Sequence, residues 1–370
     1  MSIEAILNYA IEHEASDIHI SVGRPRSVRL HGIITSIDNK PLTAQDTEEL
    51  AREITTEEQR KKVDEVGGID FGFSYSDKAR FRVSCFKQKG SYAMVLRQLP
   101  YKFYNFEQIG LPTQHVVELL SRPRGLILVT GPTGSGKTTT LASMLNYINE
   151  NFEKHIITAE DPIEFMHPHK KSIVTQREVG EDVPSFSEAV VKALRQDPDV
   201  ILIGEMRDLP TMETAIRAAE TGHLVFSTLH TTGAARTVDR VIDVFPAGQQ
   251  TQIRIQLAST LVAVISQTLL PRIDGKGGRV CAFEIMIATP AIRNLIREGK
   301  TYQIVSEIQT GARFGMRALD DHLKELYQTG VISYDAMMEA AQDPKELSDR
   351  VLKGTPAKPP VPPPPGMLKR

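Results

Sequence analysis

The sequence predicts an α/β protein in which a mostly parallel sheet, covered on both faces by helices, follows a smaller α+β unit and precedes a helical C-terminal region. Three observations carry this. From residue 125 onward, LILVT, HIIT, VILIG, LVFST and AFEIMI are short, continuous apolar strands, with helical stretches such as SFSEAVVKALRQ and LPTMETAIRAAETG between several of them. Strands apolar on both faces and alternating with helices belong to a parallel sheet buried on both sides. Before residue 100, alternation in Phe71, Phe73 and Tyr75 and in Phe81, Val83 and Cys85 marks strands with only one buried face. Finally, GLILVTGPTGSGKTTTLASML (125–145) joins an apolar strand to a helix through a glycine-rich bend.

Each element follows from a local pattern. Helical patterns at 3–13, 43–52 and 56–64 mix with the strand-like runs DIHIS, SVRL, IDFGFSY, ARFRVSCF and SYAMVLRQL, giving an N-terminal domain over residues 1–100. YKFYNFEQIGLP (101–112) has turn residues and no period, and is placed as the connection between domains. The second domain runs over 113–352. Within it Ser185 and Glu188 suit a capping box, Gly222 suits a helix stop, and the chain after 290 reads as helical. GTPAKPPVPPPPGMLKR closes the chain as an extended, unpacked tail over 353–370, because proline removes donors.

Composition narrows the function classes. The 370 residues fit two domains at roughly 150 residues each. A net charge of −2 gives no global attraction to nucleic acid or to an anionic membrane, and the absence of Trp removes the strongest base-stacking residue. Cys85 and Cys281 lie far apart, which excludes a disulfide framework or a cysteine zinc site and points to a reducing, cytoplasmic compartment. The N-terminus carries acids where a signal peptide needs a basic start. LASTLVAVISQTLL (257–270) is too short and too polar to span a bilayer.

The glycine-rich bend fits G-x-x-x-x-G-K-[ST] at every fixed position, from Gly131 through Pro132, Thr133, Gly134, Ser135 and Gly136 to Lys137 and Thr138, with Thr139 following. Glycines let backbone N–H groups curl around a polyphosphate, and the helix N-terminus adds its positive end. Lys137 reaches the β- and γ-phosphates, and the Thr138 hydroxyl ligates Mg²⁺. The stretch is expected to hold a nucleoside triphosphate, ATP with Mg²⁺.

Hydrolysis needs a carboxylate near metal and water, and positive charge for the transition state. DVILIGE ends an apolar strand at Glu205, while HIIT leads to Glu160, Asp161 and Glu164. LVFST leads to His230, which with Thr228 is a candidate γ-phosphate sensor. His167, His169 and His223 lack a third ligand at fixed spacing and read as structural or surface residues. A hairpin turning at Lys89-Gly90 with a two-residue loop sets Arg82 directly opposite Arg97. Opposed like charges destabilise a strand pair unless an anion or acid sits between them. The pair therefore suits either a phosphate pincer, in the chain or on a neighbouring subunit, or two solvated arginines on an exposed face.

Together these residues resemble the secretion-type ATPase superfamily, which powers type II secretion and type IV pili. The stretches that carry the resemblance are EASDIHISVGRP (14–25), the phosphate loop, TAEDPIEF (158–165), DVILIGEMRD (199–208) and STLHTTGA (227–234). Within it, AIRNLIREGK (291–300) resembles the C-terminal signature of pilus retraction ATPases. The resemblance implies a PAS-like N-terminal domain, a RecA-like P-loop ATPase domain and a homohexamer. It implies a cytoplasmic motor that meets the inner-membrane face of the pilus machine only through partners, a platform protein and the pilus base, and drives pilus retraction and twitching motility. It makes Glu164 the general base and Glu205 the acid near Mg²⁺, with metal contact possible through water. His230 matches the family histidine, and Arg82 and Arg97 match arginines that reach nucleotide.

For AIRNLIREGK, remoteness from the phosphate loop predicts a coupling or partner role for Ala291, Ile292, Arg293, Asn294, Leu295, Ile296, Arg297 and Glu298. Arg26 departs from the family pattern and reads as surface variation. The competing readings are an assembly or type II secretion ATPase, which typically carries a four-cysteine zinc element, a RecA-like nucleic-acid motor, and a non-hydrolysing nucleotide-gated scaffold.

Overall fold

The computed structural model describes residues 2–30, 32–76, 78–99 and 103–352. The tail at 353–370 and the first two residues of the expected connection lie outside them. Six antiparallel strands build the N-terminal sheet: β1 (Asp17–Ile20), β2 (Ser27–Leu30), β3 (Ile33–Ser36), β4 (Gly68–Tyr75), β5 (Ala79–Gln88) and β6 (Ser91–Leu99), in the order β3-β2-β1-β6-β5-β4. Helices Ile3–Glu12, Ala44–Ile54 and Glu57–Val66 accompany it. Thr43 with Asp46 and Thr56 with Gln59 form reciprocal capping boxes that start the second and third. Ile6, Leu7, Ile18, Leu50, Val63, Phe81, Val83 and Leu96 share one core.

The remaining strands are β7 (Gly125–Thr130), β8 (His155–Glu160), β9 (Ile173–Glu178), β10 (Val200–Ile203), β11 (Leu224–Leu229), β12 (Leu261–Pro271) and β13 (Arg279–Ile287). They form one sheet in the order β13-β12-β7-β11-β10-β8-β9. β7 pairs in parallel with β11 and β12, β8 pairs in parallel with β9 and β10, and β12 and β13 pair antiparallel. Every residue of β7, β10 and β11 is buried, as continuous apolar runs demand. This is the α/β class that the strand–helix alternation implies.

By compactness the chain divides into two units. One runs to Tyr104 and resumes over Leu141–Glu205, and the other takes Asn105–Thr140 and the described residues from Met206 on. In the second, helices Leu319–Gln328, Tyr334–Ala340 and Pro344–Leu352 close a separate core of Leu270, Ala282, Leu323, Ile332, Met337, Leu347 and Val351.

Several expectations change. LASTLVAVISQTLL, expected only to be too short and too polar for a bilayer, divides between two elements: helix Ala247–Thr260 ends where β12 begins. Among the described residues no helix is long and apolar enough to cross a membrane. β3, β9 and β12 are not among the expected strands; β3 is exposed throughout and four of the six residues of β9 are polar. The connection contains a one-turn helix, Phe106–Ile109, held by a capping box between Asn105 and Gln108. Ser185 caps its helix by accepting from the Glu188 amide, but Glu188 does not reach back and pairs with Lys192 instead. Arg26 is not surface variation. It is 5% exposed and its Nη1 lies 2.9 Å from Asp38 Oδ2, a near-buried ion pair at the edge of the N-terminal sheet.

Candidate functional site

The phosphate loop follows β7 and feeds helix Lys137–Asn151. Gly131, Gly134 and Gly136 all have positive φ, 142°, 78° and 88°, a backbone that side-chain-bearing residues rarely adopt. At Gly131 space is also exhausted, since a Cβ there would lie 2.2 Å from the Gln267 carbonyl oxygen. Lys137 is buried, and its Nζ donates to the Gly131 and Pro132 carbonyls at 2.8 and 3.1 Å. The Gln267 side chain donates from Nε2 to the Ser135 carbonyl at 2.6 Å and braces the loop from β12. Ser135 Oγ and Gln267 Oε1 are buried without a hydrogen-bond partner. Curled backbone, a buried lysine at the mouth of the helix and an unused hydroxyl fit a polyphosphate. Thr138, the expected Mg²⁺ ligand, and Thr139 are half-buried on the first turn of the helix.

His230 follows β11 in the same unit and is exposed, with Thr228 buried in the strand before it. Thr231 and Thr237 hydroxyls meet at 2.8 Å, bracing the start of helix Ala234–Asp243. That helix begins at Gly233 with no side-chain cap of its own. Its amides are satisfied from β12 and β13: Gly233 N donates to Ser266 Oγ at 2.9 Å and Ala234 N to Glu284 Oε1 at 2.6 Å. Ser266 and Glu284 are direct cross-strand partners.

The acids of TAEDPIEF lie in the other unit and divide by burial. Glu160, the last residue of β8, is 7% exposed. It accepts from the Thr158 hydroxyl at 2.7 Å and from Gln176 Nε2 at 3.0 Å. Burial pushes its carboxyl up to about 7 against the opposing pull of those hydrogen bonds, and the neighbouring Glu164 charge adds to the rise. Glu164 is half-buried and Asp161 exposed; Glu205, past the end of β10, is half-buried. Glu178, at the end of β9, ties this segment to the N-terminal sheet. Its carboxylate takes Arg80 at 2.8 Å, the Ile163 amide at 3.1 Å and the Gly72 amide at 3.3 Å.

The arginine register stands as the sequence implies. Lys89 and Gly90 turn at φ of 50° and 79°, and Arg82 lies directly opposite Arg97. Their surroundings change the electrostatic argument. Asp17 on β1 is the partner of Arg97 on its other side, and Arg29 on β2 partners Asp17, so one row across the sheet reads Arg82, Arg97, Asp17, Arg29. Arg97 Nε donates to Asp17 Oδ1 at 2.9 Å. Burial alone would raise the Asp17 carboxyl, but the hydrogen bonds from Arg97 and Ser16 outweigh it and hold it below the usual range. An acid therefore already offsets the like-charge contact. Arg82 lines a cavity of about 130 Å³ with Asp70, Asp161, Glu178 and Glu181, again among acids.

In AIRNLIREGK, helix Pro290–Glu298 buries Ile292 and Ile296 completely. Arg293 is half-buried and donates to the Ala258, Ser259 and Ala288 carbonyls. Leu295 is half-buried, while Ala291, Asn294, Arg297 and Glu298 are exposed. Five of the eight residues thus read as available at least in part to a partner, and three as packing. Among the described residues no His, Cys, Asp and Glu cluster could hold a metal by itself. His167 is buried, His169 Nδ1 accepts from the Val174 amide, and His223 Nδ1 lies 2.9 Å from the Ala218 carbonyl. Burial pushes the Cys85 and Cys281 thiols up to about 11 and about 12, leaving both inert.

Ser266, Gln267 and Glu284 are absent from the expected site. Their signal was present, as polar residues inside otherwise apolar strands, LVAVISQTLL and AFEIMI.

Comparison with known proteins agrees with this architecture. The type IV pilus retraction ATPase PilT of Pseudomonas aeruginosa is 50% identical over 348 residues, covering 94% of this chain and 100% of that protein. A twitching motility protein of Neisseria gonorrhoeae is 48% identical over 323 residues, 87% of this chain and 85% of its own. A crystal structure of the pilus retraction motor PilT with bound ADP superposes with a TM-score of 0.89 at 51% identity, over 94% of this chain and 99% of that one. The family model described as type II/IV secretion system protein matches residues 1–339. This chain is a nucleotide-binding ATPase that belongs to the type II/IV secretion system protein family.

Proposed function

We propose that this protein is an ATP-hydrolysing motor that powers type IV pilus retraction. The observation that carries the reading is the phosphate loop, with its three positive-φ glycines and buried Lys137, in a chain half identical along its length to a pilus retraction ATPase. Residues 131–139 would hold ATP, and Thr138 and Glu205 would hold Mg²⁺, directly or through water. Bound Mg²⁺ supplies charge neutralisation at the β- and γ-phosphates. Glu164 takes the proton of the attacking water, His230 reads the γ-phosphate, and Arg82 and Arg97 supply positive charge to the transition state. Six copies form a ring in the cytoplasm, with residues 1–100 and 113–352 as its moving domains and 101–112 as their connection. The exposed side of helix Pro290–Glu298 transmits the movement to a platform protein at the inner-membrane face of the pilus base.

Deleting the gene and scoring piliation against twitching tests the reading. A retraction motor leaves cells piliated and unable to twitch, restored by the native chain and not by Lys137→Ala. Cells without pili would assign the chain to assembly instead.

A further inference from the structure

The helix that follows the His230 loop needs partners for its first amides and brings none of its own. Two residues from other strands supply them. Ser266 takes the Gly233 amide and Glu284 the Ala234 amide. A carboxylate at a helix N-terminus is stabilised by the dipole as well as by the hydrogen bond. Glu284 is 3% exposed, and burial raises its carboxyl against the pull of the Ala234 and Gln342 hydrogen bonds. A solvated serine would cap the same helix without burying an acid, so capping alone does not account for the residue.

The second carboxylate oxygen points to what does. Glu284 Oε2 accepts from Gln342 Nε2 at 2.7 Å. Gln342 lies between helices Tyr334–Ala340 and Pro344–Leu352. Its backbone is pinned, because the Gln342 and Asp343 amides donate to the two oxygens of Asp320 at 2.8 and 3.0 Å. A cavity of about 510 Å³ lies here, lined by Pro132, Arg236, Gln267, Glu284 and Gln342. Where packing leaves this gap, the Glu284–Gln342 bond bridges the start of the helix and the C-terminal helices.

We infer that Glu284 is a positioning residue for the His230 loop, using one carboxylate oxygen to fix the helix after the loop and the other to bind it to Gln342. The C-terminal helical region thereby holds the γ-phosphate-sensing loop in place, so strain in those helices alters turnover rather than nucleotide capture. The inference rests on the assignment of His230 to the hydrolytic site, and its test separates the two.

Amide exchange over residues 230–238 reads the positioning directly, in the full-length protein, and steady-state turnover against ADP affinity reads its consequence. Glu284→Leu removes both bonds. Gln342→Leu removes one, at a position exposed to solvent. Each is expected to speed exchange in this segment by about tenfold or more, with the phosphate-loop segment unchanged. Turnover should fall while ADP affinity stays within about threefold. Glu284→Gln should stay near wild type on both readouts, since its carboxamide oxygen still accepts from Ala234 and the Gln342 amide can turn to present its own oxygen. Unchanged exchange in Gln342→Leu, or Glu284→Gln behaving like Glu284→Leu, overturns the positioning role. Faster exchange with normal turnover overturns its catalytic consequence. Normal turnover in His230→Ala overturns the assignment of His230 itself, while the exchange data still judge Glu284.

Discussion

Lys137 is held between two carbonyl oxygens of its own loop, at 2.8 and 3.1 Å, so its ammonium is already placed at the mouth of the helix before any phosphate competes for it. Replacing it with alanine removes the charge together with both of these bonds. Lys137→Ala is expected to lower ATP turnover by roughly 10²–10³-fold or more in a protein that still melts cooperatively. Retained turnover would refute the loop's role.

Glu160 gives a second test at this scale, through pH. Its carboxyl rises from 4.5 when unfolded to about 7 in the fold, chiefly by burial. The folded state therefore favours the protonated form. The stability that this group contributes is complete below about pH 4.5 and is lost as pH rises through about 7. Glutamine keeps an oxygen to accept from Thr158 and Gln176. Glu160→Gln is thus expected to gain thermal stability over the native chain above pH 7 and to match it near pH 5, in melts across that range. Parallel pH profiles would show that Glu160 is not held protonated.

At the scale of the element, helix Pro290–Glu298 separates packing from partner contact. Ile296 is fully buried, so Ile296→Ala is expected to cost roughly 2–5 kcal/mol and to lower activity through folding. Arg297 is exposed and its Nη2 lies 3.4 Å from Asn294, a marginal contact. Arg297→Ala should leave stability and ATP turnover near wild type while stopping retraction in cells. Retraction at normal speed would return the exposed side of this helix to ordinary surface.

The β5–β6 hairpin shows why register alone does not settle a charge pair. Arg82 and Arg97 face one another, and an isolated hairpin would be relieved by losing either. With Asp17 in the same row, the two losses differ. Arg82→Ala should leave stability unchanged or slightly raised, whereas Arg97→Ala deprives a mostly buried carboxylate of a 2.9 Å partner and should cost about 1 kcal/mol. Denaturant melts of the two variants measure the difference, and equal stabilities would remove Asp17 from the argument. Both variants should lose turnover by roughly 10³–10⁵-fold if the arginines serve the transition state.

For the whole molecule, the open matter is which chain's nucleotide those arginines serve. If it is a neighbour's, mixing Arg82→Ala with Lys137→Ala subunits should restore part of the activity, because some interfaces receive both intact halves. If it is the same chain's, every damaged chain stays inactive and mixing restores nothing. Turnover across mixing ratios distinguishes the two.

What the sequence determined by itself is whatever a short window of chain contains. The phosphate loop is legible because its glycines, lysine and flanking elements lie within about ten residues, and the φ values they require are local properties. The Arg82–Arg97 register follows from a two-residue turn and the period of a strand. Apolar continuity marks β7, β10 and β11 as interior strands. Glu205 and His230 stand at strand ends for the same reason.

The tertiary structure decided the partners. Asp17 reaches Arg97 across 80 residues, Ser266 reaches Gly233 across 33, and Glu284 reaches Ala234 across 50. No spacing rule encodes these meetings, since each depends on which strand the sheet places beside which. Burial was decided in the same way. Arg26 and Glu160 look like solvated charges in sequence, and it is the strands and helices stacked over them, as over Glu284, that remove water and make hydrogen bonding obligatory. Local chemistry is written in composition and period, whereas the electrostatics of a buried charge belong to the topology that buries it.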